Sequence, residues 1–488
     1  MNRPPFQTAF PAERPTGTSG GVRRRPNPPT FAFVWALAAL GGCQSFESRP
    51  LDPNAHQEAW DRRTLDGASL EEFMSRRAPL PSELATDFDP QDGLSLGEGR
   101  LVALVYNPTL RLARLRVERT AAGAAHSGSA VDPSLEFSAL RATDGGSDPW
   151  VIAAGLGFSI PLGGRRAAER DLAEAELRAQ KGAFLESEWT VWRDVGVAWI
   201  EWSAARLRVD ATERLARGLE GLARTAMDLA DRGELASTEA ALFRIEQAQR
   251  NNQLRRLRGE VEAAKLRLLG LVGLPPATLL ELLPAIELET TIVAIAPAGP
   301  DAIALRNPEL ARLRREYDVA EAALRHAIRK QYPDLTLGPL FESDAGRSRI
   351  GLLGGIPLPL LNANRREIAE ARVEREIARA AVETAFESLV GGWAVAVARA
   401  QALAGQREEL VQVLAPLMDR QVEDAFEMLR LGESASTLVL LESLTRAFQA
   451  KLDLIDIRAA EAIARAEIVY VIGPANTAAV SHMPEDRR

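Results

Sequence analysis

The chain has 488 residues, 46% hydrophobic and 26% charged, and its 59 basic and 67 acidic side chains leave a net charge of −8. That balance supports a folded protein and provides no basic field to draw in nucleic acid or an anionic leaflet. A single cysteine rules out an intrachain disulfide framework, and no CxxC, HExxH or phosphate-loop motif occurs, so no metal, cofactor or catalytic constellation is expected and the chain does not read as an enzyme.

Near the N-terminus, Arg23, Arg24 and Arg25 precede an apolar run from Phe31 to Leu40, followed by Gly41, Gly42 and Cys43. An apolar run of about ten residues is too short to cross a bilayer as a helix, and its basic and small flanks mark residues 1–42 as a secretory signal. Leu40-Gly41-Gly42-Cys43 resembles a bacterial lipoprotein box, which implies cleavage before Cys43 and a covalent lipid on its thiol. An ordinary signal peptide with a cysteine nearby is the plainer alternative. Gln44 in the next position is compatible with onward transport to the outer membrane. One acyl chain binds a membrane only marginally, so firm attachment needs more chains or a second anchoring element. The Pro-, Gly- and Thr-rich stretch before Arg23 fits no signal region and points to a start codon further along. Residues 43–93 then form an acylated N-terminal segment.

The next 380 or so residues carry an internal repeat. Asn107-Pro108-Thr109-Leu110 recurs as Asn307-Pro308-Glu309-Leu310, and Pro133-Ser134-Leu135 as Pro333-Asp334-Leu335. Ile160-Pro161-Leu162 recurs as Ile356-Pro357-Leu358, and Gly233-Glu234 with Ala236-Ser237-Thr238 as Gly432-Glu433 with Ala435-Ser436-Thr437. The constant order and a period near 200 residues indicate duplication of a whole structural unit, over 94–274 and 304–473. A Pro-rich linker, 275–303, separates the copies, and 474–488 reads as a flexible tail.

Each copy begins with a helix from the Asn-Pro site to His126 or Lys330. Two strands follow, Ser134 to Leu140 and Val151 to Ile160 in the first copy, Leu335 to Phe341 and Ser348 to Ile356 in the second. The turn-forming clusters Thr143–Asp148 and Ser343–Arg347 make each pair a hairpin. In the second strand Ile152, Ala154, Leu156, Phe158 and Ile160 alternate with small or polar residues, so one face is apolar. A proline-free helix is then predicted from about Arg165 to Asp231. Its stripe of Trp189, Trp192, Val195, Trp199 and Trp202 is a packing seam, matched by Val382, Phe386, Leu389, Trp393 and Val397 in the second rod, about Asn362 to Leu431. Pro416 is expected to bend that second rod or divide it into two stacked helices. Each rod turns at Gly233 or Gly432, where the Ser-Thr pair can cap a shorter helix that returns to Gly273 or Gly473.

An exported chain with two amphipathic hairpins cannot leave an open sheet in lipid, because each unpaired backbone group costs several kcal/mol there. Four strands are too few to close, whereas three copies would pool about twelve. The long coils, on the same axis, would then continue the barrel as a helical tube.

The duplicated order of helix, hairpin and long coiled hairpin, from about Leu94 to Gly473, resembles the outer-membrane efflux protein family typified by TolC, in its lipoprotein branch. The resemblance implies a mainly α fold with a small β part. It implies a homotrimer with a twelve-stranded barrel among outer-membrane lipids and a coiled-coil α-barrel in the periplasm. The partners it implies are a periplasmic adaptor and an inner-membrane transporter of the RND type, with this chain as a passive exit duct. Arg232, Gly233, Ser237 and Thr238, with Gly432, Ser436 and Thr437, resemble the family's tips, where adaptor hairpins dock; the same residues could simply turn and cap their own coils. Family members often place acidic residues just beyond the second tip, but Leu438 and Leu441 stand there, with Glu442 the nearest carboxylate. A constriction at these three positions that closes by dewetting is the expectation. Glu239 and Glu246 face either the lumen or solvent. His126 and His326 read as polar helix-end residues rather than a metal ring. The cargo, whether metal ions or organic compounds, stays open. The competing reading is a lipid-anchored periplasmic coiled-coil adaptor or scaffold.

Overall fold

The computed structural model describes residues 46–63, 65, 92–141, 143, 150–286, 299–344, 347–359, 362–430 and 436–474. The signal, Cys43, Gly432 and the tail from 475 lie outside the described residues. The chain divides into two units, 1–58 and 59–488, and helix α1 (Pro53–Asp61) crosses that division in the sequence.

The second unit runs, in chain order, through α2 (Leu96–Tyr106), α3 (Pro108–His126), β1 (Ser134–Arg141), β2 (Trp150–Pro161), α4 (Arg165–Asp231), α5 (Ser237–Val272), α6 (Pro300–Arg306), α7 (Pro308–Arg329), β3 (Asp334–Asp344), β4 (Arg347–Gly355), α8 (Arg365–Glu409), α9 (Ala415–Arg430) and α10 (Ser436–Ile472). The two halves repeat one order: short helix, helix, two strands, rod, return helix.

The duplicated Asn-Pro pair has a physical cause. Pro108 and Pro308 sit in the first turn of α3 and α7, where a missing N–H costs nothing. Asn107 Oδ1 accepts from the backbone N–H of Thr109 and Leu110 at 2.9 and 3.2 Å, while its Nδ2 donates to the Leu271 carbonyl at 2.6 Å. Asn307 does the same, accepting from Leu310 N at 3.0 Å and donating to the Val471 carbonyl at 2.7 Å. Each amide therefore caps one helix and ties it to the last turn of the helix that returns from the tip. The return helices end on Gly273 and Gly473, at φ 89° and 90°, and a Cβ on Gly273 would overlap the Tyr106 carbonyl. Glycine is required there on both counts.

Rod α4, with 67 residues, extends about 100 Å. It lies at the centre of the unit, packed on α2, α3, α5, α7 and α10, and Trp192, Val195, Trp199 and Trp202 of the predicted seam are buried. Trp199 Nε1 finds the Leu283 carbonyl at 3.0 Å, so its polar end is satisfied inside the core. Trp189 stacks on Trp192 at 4.6 Å and on Tyr470 at 6.4 Å, with Arg100 over Trp192 and Arg193 over Tyr470. This ladder joins the first rod to the end of the second repeat.

The second rod differs. Along α8 only Ala396 and Ala400 are buried, and Phe386, Leu389 and Trp393 are half-covered around Ile303, Leu310, Val471 and Ile472. Val373, Ile377 and Val395 are exposed. Pro416 does not split the rod. A π-helical turn, Leu410–Leu414, joins α8 to α9, and Ala415 N–H bonds to the Leu410 carbonyl five residues back. The widened turn comes just before the position where proline has no N–H to donate and its ring would crowd the carbonyl four residues back.

The two expected hairpins are one sheet. β2 pairs antiparallel with β3, giving the order β1-β2-β3-β4, with β1 and β4 at the edges.

Candidate functional site

Register assigns every strand residue to a face, since directly opposed residues point the same way. One face carries rungs such as Leu135–Leu156 with Leu352, and Phe137–Ala154–Phe341–Ile350. The other carries Ser134–Gly157 with Leu353, Glu136–Gly155–Leu340–Gly351, and Ser138–Ala153–Glu342–Arg349. In β2 the apolar face is exposed at every position, whereas Gly155 and Gly157 opposite are buried. Phe137, Ile350 and Leu352 are 83%, 86% and 84% exposed. A water-soluble sheet buries its apolar face; here that face is exposed, and the opposite face, better covered in β2 and β3, is mostly small or polar but also carries Leu140, Val151, Leu340 and Leu353. That inversion is the pattern of a lipid-facing barrel wall.

At the opposite end, the first tip is a Schellman motif: Glu234 N–H bonds to the Leu229 carbonyl at 2.9 Å and Gly233 N–H to the Ala230 carbonyl at 3.0 Å. Gly233 has φ 74° and open space where a Cβ would go. The Ser-Thr pair does not cap the next helix. The N-cap of α5 is Ala236, without a side-chain cap bond, so Ser237 and Thr238 lie in the first helical turn. Capping requires the residue just before the helix, and the break in backbone direction falls one position earlier than the hydroxyls suggested. Arg232, Gly233, Ser237 and Thr238 are all exposed.

The second tip is held by the first. Thr437 Oγ1 donates to Glu239 Oε2 at 2.9 Å, and Thr437 is buried. Glu239 is thereby engaged across the two coils rather than open to solvent. Glu246 pairs with Arg250 on its own helix, the Nε–Oε1 distance being 2.6 Å, and the Arg250 guanidinium lies 5.2 Å from the Phe448 ring centre on α10. Leu441 packs into a cluster of Ala223, Ala226, Ala240 and Phe243 at the first tip, so its side chain joins the coils. Leu438 is 48% exposed, and Glu442, also exposed, accepts from Arg446 Nε at 2.6 Å. The structure thus separates Leu441 from Leu438 and Glu442. The Ser436 side chain and Gly432 are outside the described positions.

Further links between the coils are Arg208 Nε to Asp456 at 2.6 Å and Arg407 Nε to Glu461 at 2.8 Å. Where the helices meet the sheet, Arg165 donates to Asp334 at 2.7 Å. His326, beside Lys330 and Arg165 and facing Glu169 and Glu367, has its pKa lowered by burial first and by the Lys330 charge second. Glu186, in contact with Arg312 at 2.5 Å, is raised because burial outweighs the guanidinium. Neither Thr437–Glu239 nor Arg208–Asp456 had a local signal, because each joins residues about 200 or more positions apart.

Residues 102–274 match the family described as outer membrane efflux protein. No curated protein matches the chain. Among solved structures, the outer-membrane channel OprN superposes with a TM-score of 0.67 at 17% identity, covering 81% of this chain and 96% of that one. The outer membrane protein VceC from Vibrio cholerae gives 0.65 at 15% identity, covering 78% and 96%. The MtrE outer membrane channel of Neisseria gonorrhoeae, in its open state, gives 0.63 at 17%, covering 82% and 98%. The chain therefore resembles the outer-membrane efflux protein family over residues 102–274 and shares the fold of these outer-membrane channels.

Proposed function

We propose that this chain, with the fold of outer-membrane channels, is the passive exit duct of a tripartite efflux pump. Three copies pair β4 of one with β1 of the next and close twelve strands in the outer membrane, since an open edge in lipid is too costly. The exposed apolar face of the sheet carries this reading. The bare flank of α8, with Val373, Ile377 and Val395 exposed, supports it: a neighbouring copy would complete the seam that α4 completes within its own copy. The coils then continue the barrel into the periplasm, and an acylated Cys43 adds a lipid anchor. The exposed Arg232, Gly233, Ser237 and Thr238, with the second tip at Gly432, Ser436 and Thr437, receive the hairpins of a periplasmic adaptor. An inner-membrane transporter of the RND type supplies the energy. Leu438 and Glu442 are offered as the narrowing of the closed tube, and Leu441 as the residue that fixes their helix.

The deciding experiment is expression of the Cys43→Ala chain and measurement of its mass and location. The expected result is a detergent-soluble trimer in the outer membrane that conducts ions when reconstituted. A soluble periplasmic monomer would replace the duct with a lipid-anchored adaptor or scaffold.

A further inference from the structure

We propose that the inner face of the sheet carries a contact site for amphipathic organic cations, formed by Leu340, Leu353 and the Glu136 carboxylate; the site rests on the barrel reading above. Inward-facing residues of a water-filled barrel are ordinarily polar, so Leu340 and Leu353, like Leu140 and Val151 nearer the hairpin end, need an explanation. Both lie over the same glycine: a Cβ on Gly155 would be 3.3 Å from Leu340 Cδ1 and 3.6 Å from Leu353 Cδ2. A Cβ at 155 would crowd the Leu340 methyl group and touch that of Leu353, so the glycine acts as the floor of a shallow apolar patch. Glu136 occupies the same rung as Gly155 and Leu340, about 10 Å from Leu340 at two strand spacings. Its Oε1 would be 3.7 Å from a Cβ on Gly157, which places the carboxylate over the neighbouring glycine on the inner face.

Toward the hairpin end the carboxylates of this face are paired with a guanidinium. Arg349 donates to Glu342 at 2.8 Å and to Asp344 at 3.3 Å. Among the described residues Glu136 has no ion pair or hydrogen bond. One uncompensated carboxylate beside one apolar patch complements a solute with a cationic head and an apolar body. A hydrated metal ion would gain from the carboxylate alone, because the leucines offer it no ligand. Three copies would repeat the patch around the lumen, so a solute leaving one meets another at the same depth.

The test uses the full-length trimer in planar bilayers, with tetrapentylammonium and tetramethylammonium as probes of equal charge and unequal apolar surface. The larger ion is expected to block the wild-type current at about tenfold lower concentration than it blocks Leu340→Ser/Leu353→Ser. Glu136→Gln, a conservative change with little risk to folding, is expected to weaken block by both ions. Equal block of all three conducting proteins by the larger ion overturns the site and leaves the barrel standing. The barrel is tested separately by labelling Leu340→Cys and Leu352→Cys in proteoliposomes with a membrane-impermeant maleimide. Labelling of 340 and not 352 is expected; the reverse pattern overturns the barrel reading, and the site with it.

Discussion

Replacing Asn107 by alanine tests whether the duplicated Asn-Pro pair is the joint that holds each repeat together. The substitution removes the acceptor for Thr109 N–H and Leu110 N–H and the donor to the Leu271 carbonyl, at a residue 3% exposed. Loss of an N-cap costs about 1 kcal/mol, and an unsatisfied buried carbonyl about 1–3 kcal/mol. The expected destabilisation is therefore about 2–4 kcal/mol, with a similar figure for Asn307→Ala at the Val471 carbonyl. Asn107→Asp separates the two contributions: the carboxylate still caps α3 but has no hydrogen for Leu271, so about 1–3 kcal/mol should be lost without any loss of the cap. The assay is chemical unfolding of the detergent-solubilised protein followed by circular dichroism at one fixed protein concentration, because an oligomer's midpoint depends on concentration. The two joints share no partner, so the double alanine variant should lose the sum of the single losses to within about 0.5 kcal/mol. A midpoint for Asn107→Asp equal to wild type would show that the bridge to the return helix contributes nothing, and the reasoning would fail at that point.

Three other outcomes are expected. Gly233→Asn should keep the turn, since asparagine tolerates positive φ and a Cβ there meets open space, yet abolish export by adding bulk at the docking tip; normal export would make Gly233 a folding device only. Thr437→Val removes the bond to Glu239 and should raise single-channel conductance as the coils loosen, and Leu438→Ser should raise it by wetting the narrowing; an unchanged current in both places the constriction elsewhere. His326 is held below its usual pKa, so the unfolded chain takes up the proton first as pH falls below about 6.5, and stability should drop from there until the folded imidazole is also charged. His326→Asn should flatten that decline in a pH series of thermal midpoints.

The order of elements, the rods and the glycine turn at Gly233 were legible in the chain because each depends on local chemistry. Proline at a first helical turn, glycine at positive φ and apolar residues at helical spacing act over a few residues, so a single copy of the repeat displays them. Even the inverted sheet was half visible: the alternation of Ile152, Leu156, Phe158 and Ile160 with small residues separates two faces, though it cannot say which one meets water or lipid. Local signals also misled. The hydroxyls of Ser237 and Thr238 suggested a cap that Ala236 occupies, whereas at Pro416, where a bend or a division was expected, one widened turn precedes the proline.

Pairing across the duplication belongs to tertiary structure alone. Whether β2 joins β3, whether Leu441 faces a lumen or its companion coil, and which rod becomes central depend on contacts between residues often more than 150 positions apart. The two rods carry similar apolar stripes, yet α4 is covered from several sides and α8 from few. Pattern reports only that a face prefers to be dry; the surrounding elements determine what dries it.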